Sequence, residues 1–426
     1  MISTILGAFR VGEIRTKVLF TAAMLAIYRL GVHIPAPGIN SQAVSAIQKN
    51  FGGSSILGLL NLFSGGGLGR IAIFALGIMP YITASIILQL LQVVVPSLEK
   101  LQKEGEVGQA RITQYTRYLT VGLAFAQSIG YVFLFRSFES QAGVQLINNF
   151  NLAKVFLIVI SLTAGTVLLM WIGELITQRG IGNGISLLIF ASIVSRIPGG
   201  LQSWWNNPDQ VFKVTMPFIA IGVVAAVVFV QEGQRRIPIQ YAKRVIGRRM
   251  TQGGQTYLPL RVNMAGVIPV IFAASIMAIP PTVGQLIGQN RKGFATDLYT
   301  FFAPGSWHYV VGESIFIILF TYFYTAVTFN PVDQAENLRK YGGFIPGVRP
   351  GRPTAEFLDR ILARLTFPGA LFLAAIAALP TILISQTNAN FAFGGTSILI
   401  VIGVALDTMK QLEAQLMMRN YEGFLK

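Results

Sequence analysis

Phe63-Ser64-Gly65-Gly66-Gly67-Leu68-Gly69-Arg70 leads directly into Ile71-Ala72-Ile73-Phe74 and on to Val95, a run that carries no charged residue after Arg70. A helix of about 20 apolar residues crosses a bilayer, so residues 71–95 are read as a membrane span. The glycines argue against a stable helix before it, since each costs about 1 kcal/mol relative to alanine. Taken alone, residues 63–70 read as a flexible external loop tethered to a membrane helix.

The whole chain fits that setting. Its 426 residues are 53% hydrophobic and only 12% charged, with a mean hydropathy of +0.60. Soluble chains carry about 25% charged residues. Several uncharged runs of spanning length make this an all-α polytopic membrane protein. There is no cysteine, which excludes disulfides and thiolate chemistry. His33 and His308 sit beside spans without nearby carboxylates in sequence, so metal or histidine-based catalysis is not expected. No cofactor is expected either. Residues 1–17 read as an amphipathic surface helix, with no cleavable signal peptide.

Ten spans are expected, near residues 15–35, 71–95, 116–138, 152–177, 181–197, 212–230, 263–287, 309–329, 365–384 and 395–416. The breaker Pro198-Gly199-Gly200 begins an external connector over 198–211, which divides the chain into halves 1–197 and 212–426 with five spans each. An odd number per half requires opposite orientations, the geometry of an inverted repeat, although no residue-level repeat stands out. With both termini cytoplasmic, most of the 33 lysines and arginines fall inside, as the positive-inside rule demands. Two cytoplasmic loops dominate. Residues 231–262 carry Arg235, Arg236, Lys243, Arg244, Arg248, Arg249 and Arg261 against Glu232 alone. Residues 330–364 carry Arg339, Lys340, Arg349, Arg352, Arg360 and Arg364 against Asp333, Glu336, Glu356 and Asp359.

Nine short stretches, in order, resemble the bacterial SecY family, the pore-forming subunit of the Sec protein-conducting channel. They are Phe63-Ser64-Gly65-Gly66, Ala75-Leu76-Gly77-Ile78-Met79-Pro80-Tyr81-Ile82, Lys103-Glu104-Gly105-Glu106, Gln114-Tyr115-Thr116-Arg117-Tyr118, Arg179-Gly180-Ile181-Gly182-Asn183-Gly184-Ile185-Ser186, Gly233-Gln234-Arg235-Arg236-Ile237, Asn263-Met264-Ala265-Gly266-Val267-Ile268-Pro269, Pro346-Gly347-Val348-Arg349-Pro350-Gly351 and Gly394-Gly395-Thr396-Ser397. Each is weak alone; the ordered set, spread over nearly the whole chain, is specific.

The resemblance implies a central hourglass pore, a constriction of apolar side chains and a short half-helix plugging it from outside. The matching ring positions are Ile78, Ile82, Ile185, Ile189, Ile271 and Ile400. An apolar collar excludes water and ions by dewetting yet yields to a passing chain, and β-branched side chains suit a seal that must re-form. The plug would be Phe63 to Arg70. Thr83, Gln127 and Asn263 match a polar cluster at a lateral gate, and Pro269, Pro280 and Pro281 would loosen the seventh span beside it. Residue by residue, the bland alternatives are lipid-facing isoleucines, and a Thr83 bonded back to its own helix. Glu174, Glu313 and Asp407 read as paired or solvated charges at span ends.

The family further implies that Arg235, Arg236, Lys243, Arg244, Arg248, Arg249 and Arg349 dock a ribosome, through its RNA, or the SecA motor ATPase. SecE and SecG subunits, signal peptides, nascent chains and anionic lipids complete the expected partners. The chain has no phosphate-binding loop or catalytic constellation, so it reads as a passive channel driven by a partner. The expected location is a bacterial cytoplasmic membrane, with a thylakoid membrane as the other setting for this family. A secondary transporter is the alternative function, since inverted halves and broken helices fit that class as well.

Overall fold

The computed structural model describes residues 11–40, 43–44, 61, 63–142, 145–147, 150–206, 210–241, 245–246, 249–250, 254–280, 301–302, 306–387 and 395–423. In chain order its helices are α1 (Gly12–Gly31), α2 (Met79–Val94), α3 (Pro96–Lys103), α4 (Glu106–Ala142), α5 (Leu152–Arg179), α6 (Gly184–Val194), α7 (Ile197–Trp205) and α8 (Gln210–Glu232). Strands β1 (Gln234–Tyr241), β2 (Val245–Ile246), β3 (Arg249–Met250) and β4 (Gln255–Arg261) follow. The chain continues through α9 (Ile268–Met277), α10 (Trp307–Thr328), α11 (Pro331–Lys340), β5 (Gly343–Phe344), α12 (Arg352–Thr387) and α13 (Gly395–Gly423).

Among the described residues six helices are long and apolar enough to cross a membrane, and α2 with α3 makes a seventh if the bent pair is one span. The bend there is 99°. Val95 is extended, as a residue before proline prefers to be, and Pro96 cannot continue the α2 hydrogen-bond ladder.

Several boundaries depart from the sequence reading. Residues 71–78 are turns, and α2 starts only at Met79, because hydropathy cannot tell an apolar turn from an apolar helix. Likewise α9 starts at Ile268 instead of residue 263, and Pro269 lies in its first turn. There its missing N–H is one of the helix's unpaired donors anyway, so it starts the helix and does not loosen it. Pro280 ends the described stretch and Pro281 lies outside it. Helices α4 and α12 begin at Glu106 and Arg352, well before the apolar runs within them.

Residues 231–262 and 330–364 fold together. Strand β1 pairs antiparallel with β4 from Gln234↔Arg261 to Gln240↔Gln255, and on its other side with β5 at Gln240↔Phe344 and Tyr241↔Gly343. The sheet order is β4-β1-β5. Alternate residues Ile237 and Ile239 of β1 are buried, as a half-covered strand requires. Ile237 packs with Leu260, Phe329, Ile345, Leu358, Ile361 and Leu362 in a small core of its own. The last three lie on one face of the first turns of α12, at i, i+3 and i+4.

The main core is continuous across both halves of the chain, holding Tyr28 of α1, Ile82 of α2, Leu162 of α5, Leu188 of α6, Ile271 of α9, Ile317 of α10, Leu373 of α12 and Leu399 of α13. Lipid is as apolar as these side chains, so close packing holds such helices together, and small residues permit it. Gly165 of α5 lies against the Ile73 carbonyl, and Gly184 lies against the Gly173 carbonyl, with no room for a Cβ at either.

A residue-level repeat that the sequence reading missed also emerges. Gly77 (φ 59°) and Gly266 (φ 62°) each make a left-handed turn. Ile78 (φ −95°, ψ 0°) and Val267 (φ −96°, ψ −5°) then cap helices α2 and α9, each with a proline in its first turn. The matching stretches are Gly77-Ile78-Met79-Pro80-Tyr81-Ile82 and Gly266-Val267-Ile268-Pro269-Val270-Ile271.

Candidate functional site

Phe63 is helical, and residues 64–78 follow it inside the protein as a chain of turns. Phe63, Ser64, Leu68 and Ile71 are all buried. The Ser64 hydroxyl donates to the Asn61 carbonyl at 3.2 Å and accepts from the Leu68 N–H at 3.0 Å. The Gly69 N–H donates to Asn61 Oδ1 at 2.9 Å. The Gly66 and Ala72 amides donate to the carbonyls of Asn61 and Gly67 at 2.8 and 2.9 Å. Beyond the turns, Ala36 N–H donates to the Ile71 carbonyl and Ile73 N–H to the Ile34 carbonyl, at 2.9 and 3.0 Å, tying the segment to the end of α1. Ile71 has φ +47°, the sole non-glycine residue with positive φ among those described. The left-handed region is strongly disfavoured for a β-branched residue.

The ring candidates share one large apolar core with this segment. Ile78, Ile82, Ile189, Ile271 and Ile400 are buried in the cluster that also contains Phe63 and Leu68, and Ile185 packs against it half-buried. Ile82 and Ile271 occupy equivalent places in the two repeated turns, each five residues after the glycine. Asn183 fixes the start of α6, its side-chain oxygen accepting from Ile185 N–H at 3.1 Å and Ser186 N–H at 3.3 Å. That cap sets the face on which Ile185 and Ile189 lie.

The polar gate residues do not form a cluster with one another. Thr83 donates to the Met79 carbonyl of its own helix at 3.0 Å. Asn263 donates to the Gly266 carbonyl at 2.9 Å, and its side-chain oxygen is buried without a partner. Gln127 lies half-buried on α4. At the seam between α2 and α9 the sequence reading missed Ser275, whose hydroxyl donates to the Ile271 carbonyl of its own helix at 2.7 Å and lies 3.8 Å from Met79 Sδ across the seam. A serine inside an apolar helix was the available signal.

Of the basic residues, Arg235 and Arg236 are exposed on β1 and Arg349 is exposed in the turn between β5 and α12. The β1–β5 pairing puts them on one folded unit. Arg249 lies on β3, while Lys243, Arg244 and Arg248 fall outside the described residues. Within the bundle, Arg117 Nε and Nη2 grip Glu174 Oε1 and Oε2 at 2.8 and 2.6 Å, a two-bond fork joining α4 to α5. Glu313, expected to be paired or solvated, is instead buried on α10, whereas Asp407 is exposed on α13.

Comparison with known proteins converges on one family. The SecY family model matches residues 72–409. Protein translocase subunits SecY from Corynebacterium glutamicum and Streptomyces galbus are 49% and 50% identical to this chain, covering 100% of it and 100% of each relative. Among solved structures, a protein-conducting channel matches at a TM-score of 0.67 with 19% identity, over 94% of this chain and 92% of that one. Sec61 from a canine ribosome–channel complex of the endoplasmic reticulum matches at 0.64 with 18% identity, over 94% and 92%. These likenesses extend the agreement to the fold. The chain belongs to the SecY family of protein translocase subunits.

Proposed function

We propose that this multi-pass membrane chain is the channel-forming subunit through which unfolded secretory proteins cross the membrane, releasing transmembrane segments sideways into lipid. The observation that carries this reading is the burial of Phe63, Leu68 and Ile71 in the same apolar cluster as Ile78, Ile82, Ile189, Ile271 and Ile400, with Ile185 packed against it. A blocked apolar constriction suits a passive pore for polypeptide. The transporter alternative is not favoured.

In this reading Phe63 to Arg70 is the plug and Ile78, Ile82, Ile185, Ile189, Ile271 and Ile400 line the constriction. Thr83, Gln127 and Asn263 flank the lateral gate. Helices α1, α9 with the residues after it, and α13 join the apolar spans to make ten, in halves 1–197 and 212–426 hinged at 198–211. The matching turns at Gly77 and Gly266 support inverted halves, and the distribution of lysine and arginine supports cytoplasmic termini.

The β4-β1-β5 unit, with Arg235, Arg236, Arg249 and Arg349 and the neighbouring Lys243, Arg244 and Arg248, is the docking surface. A basic surface of this kind suits ribosomal RNA through counterion release or an acidic face of the SecA motor. The canine neighbour comes from a ribosome–channel complex. SecE, SecG, signal peptides and anionic lipids are the further partners, and the bacterial cytoplasmic membrane is the setting.

Because the chain contains no cysteine, single cysteines at Ile78, Ile185 and Ile400 give a clean test. A secretory chain stalled in transit is expected to crosslink at all three and not at the lipid-facing Phe218 or Ile221. The reverse pattern would place the path elsewhere.

A further inference from the structure

Gly65 sits in a polar cradle built by two other helices. Its φ is +65°, and a Cβ there would lie 2.5 Å from the Tyr28 hydroxyl and 3.4 Å from both Arg29 Nη1 and Ser192 Cα. Arg29, half-buried in the last turn of α1, donates from Nη1 to the Gly65 carbonyl at 3.0 Å. Tyr28 beside it is buried, and its hydroxyl is 2.5 Å from Ser192 Oγ on α6. The Tyr28 ring also stacks on Phe74, with centroids 6.2 Å apart and planes at 17°. Adjacent residues of α1 therefore hold the 63–74 segment at both ends, and one of them is tied to the helix that carries Ile185 and Ile189.

We propose that Arg29 is the positioning residue that latches residues 63–70 in the closed channel, with Tyr28 and Ser192 locking the latch to α6. The proposal rests on reading 63–70 as the plug. The energetic logic is specific. Glycines give the segment little helix stability of its own, so its seated position depends on contacts from outside it. A charged donor on a backbone carbonyl is among the stronger of these. The carbonyl carries no side-chain identity, so the latch recognises the turn at Gly65 and not a particular side chain. Shifting α6, as passage of a polypeptide past Ile185 and Ile189 requires, pulls on Ser192 and through Tyr28 on the latch.

The test uses the full chain, in complex with the subunits that copurify with it, in proteoliposomes. Ser64→Cys places one thiol at a position that is 1% exposed when the segment is seated. Its labelling rate by a membrane-impermeant maleimide reports release, and chloride efflux reports leak. Arg29→Met is expected to raise both by about tenfold or more, the factor that loss of a hydrogen bond to a charged group implies. Arg29→Lys, which keeps a cationic donor, is expected to restore most of the seal, which a purely structural role for the side chain would not require. Tyr28→Phe, nearly isosteric and safe for folding, is expected to raise both rates a few-fold. Unchanged rates in Arg29→Met and Tyr28→Phe, alongside a strong leak on deletion of residues 63–69, would overturn the latch while leaving the plug intact. A deletion that does not leak would instead overturn the plug reading itself.

Discussion

Gly77-Ile78-Met79-Pro80 and Gly266-Val267-Ile268-Pro269 make the same corner in the backbone, yet they join different things. The first connects the buried 63–74 segment to α2, and the second connects strand β4 of the three-stranded sheet to α9. Their surroundings differ as much. A Cβ on Gly77 would meet Ser64 Cα at 3.0 Å and the Phe63 carbonyl at 3.2 Å, so this corner is packed onto the segment it carries. Around Gly266, among the described residues other than its chain neighbours, the single atom within 4 Å of such a Cβ is Asp407 Oδ2, at 3.9 Å. The first glycine is clamped, and the second has space for a side chain. A displacement of the buried segment must therefore move the start of α2, whereas at the second corner the close contact falls on the next residue, Val267, which is buried against Gly403 of α13.

The largest effect is expected at what the second corner carries. Reversing one charge with Arg349→Glu, exposed beside β5, should abolish SecA-driven export of a preprotein in inverted membrane vesicles. Assembly and thermal stability should be unchanged, because the side chain is exposed. Normal export would remove Arg349 from the docking surface and weaken the contrast between the two corners.

The corners themselves can be compared directly. Gly77→Ala should destabilise the purified complex by about 3 kcal/mol, combining a left-handed alanine with overpacking against Ser64. Gly266→Ala should cost about 1 kcal/mol, from backbone conformation alone. Thermal melts of the two variants read the difference, and equal losses would show that the packing around Gly77 does not clamp it.

A smaller effect is expected where α2 meets α9. Ser275→Ala removes the hydroxyl that touches Met79 Sδ but leaves the packing, so stability should change by less than about 1 kcal/mol. Crosslinking of a signal peptide to α2 should increase slightly as the seam opens more easily. A drop in crosslinking would mean that the serine assists opening and not closure.

Which parts of this arrangement can be read from sequence follows from what each signal measures. Hydropathy registers composition over a window, so the run at 152–177 emerges as α5, Leu152–Arg179, nearly residue for residue. The same measure cannot see that residues 71–78 turn, since Ile71 and Phe74 are as apolar in a turn as in a helix. Gly77 and Pro80 were the local clues, a left-handed position followed by a helix-starting proline. In residues 231–262 the alternation of Ile237 and Ile239 with polar neighbours is a strand pattern, overshadowed by the concentration of arginine. Pairing of β1 with β5, more than a hundred residues onward, is a long-range contact that no local pattern encodes. The six isoleucines illustrate the same boundary. Isoleucine is ordinary in any apolar helix, and only the family resemblance singled these out; their meeting in one cluster is a property of the assembled helices. Thr83, Gln127 and Asn263 are grouped by resemblance too, and here Thr83 bonds to its own helix and Asn263 to its own turn.

Ile71 adds a consequence for the seal. Its left-handed backbone costs on the order of 1–3 kcal/mol, and it is held by burial and by the Ala36 amide on its carbonyl. Once those constraints are lost the residue relaxes downhill to an extended conformation, and regaining the seated form means climbing back over that cost. With residues 63–70 read as the plug, that cost lowers the seated population by a factor of about 5 to 150 relative to an unstrained turn, so Ile71→Gly should hold the channel shut more firmly.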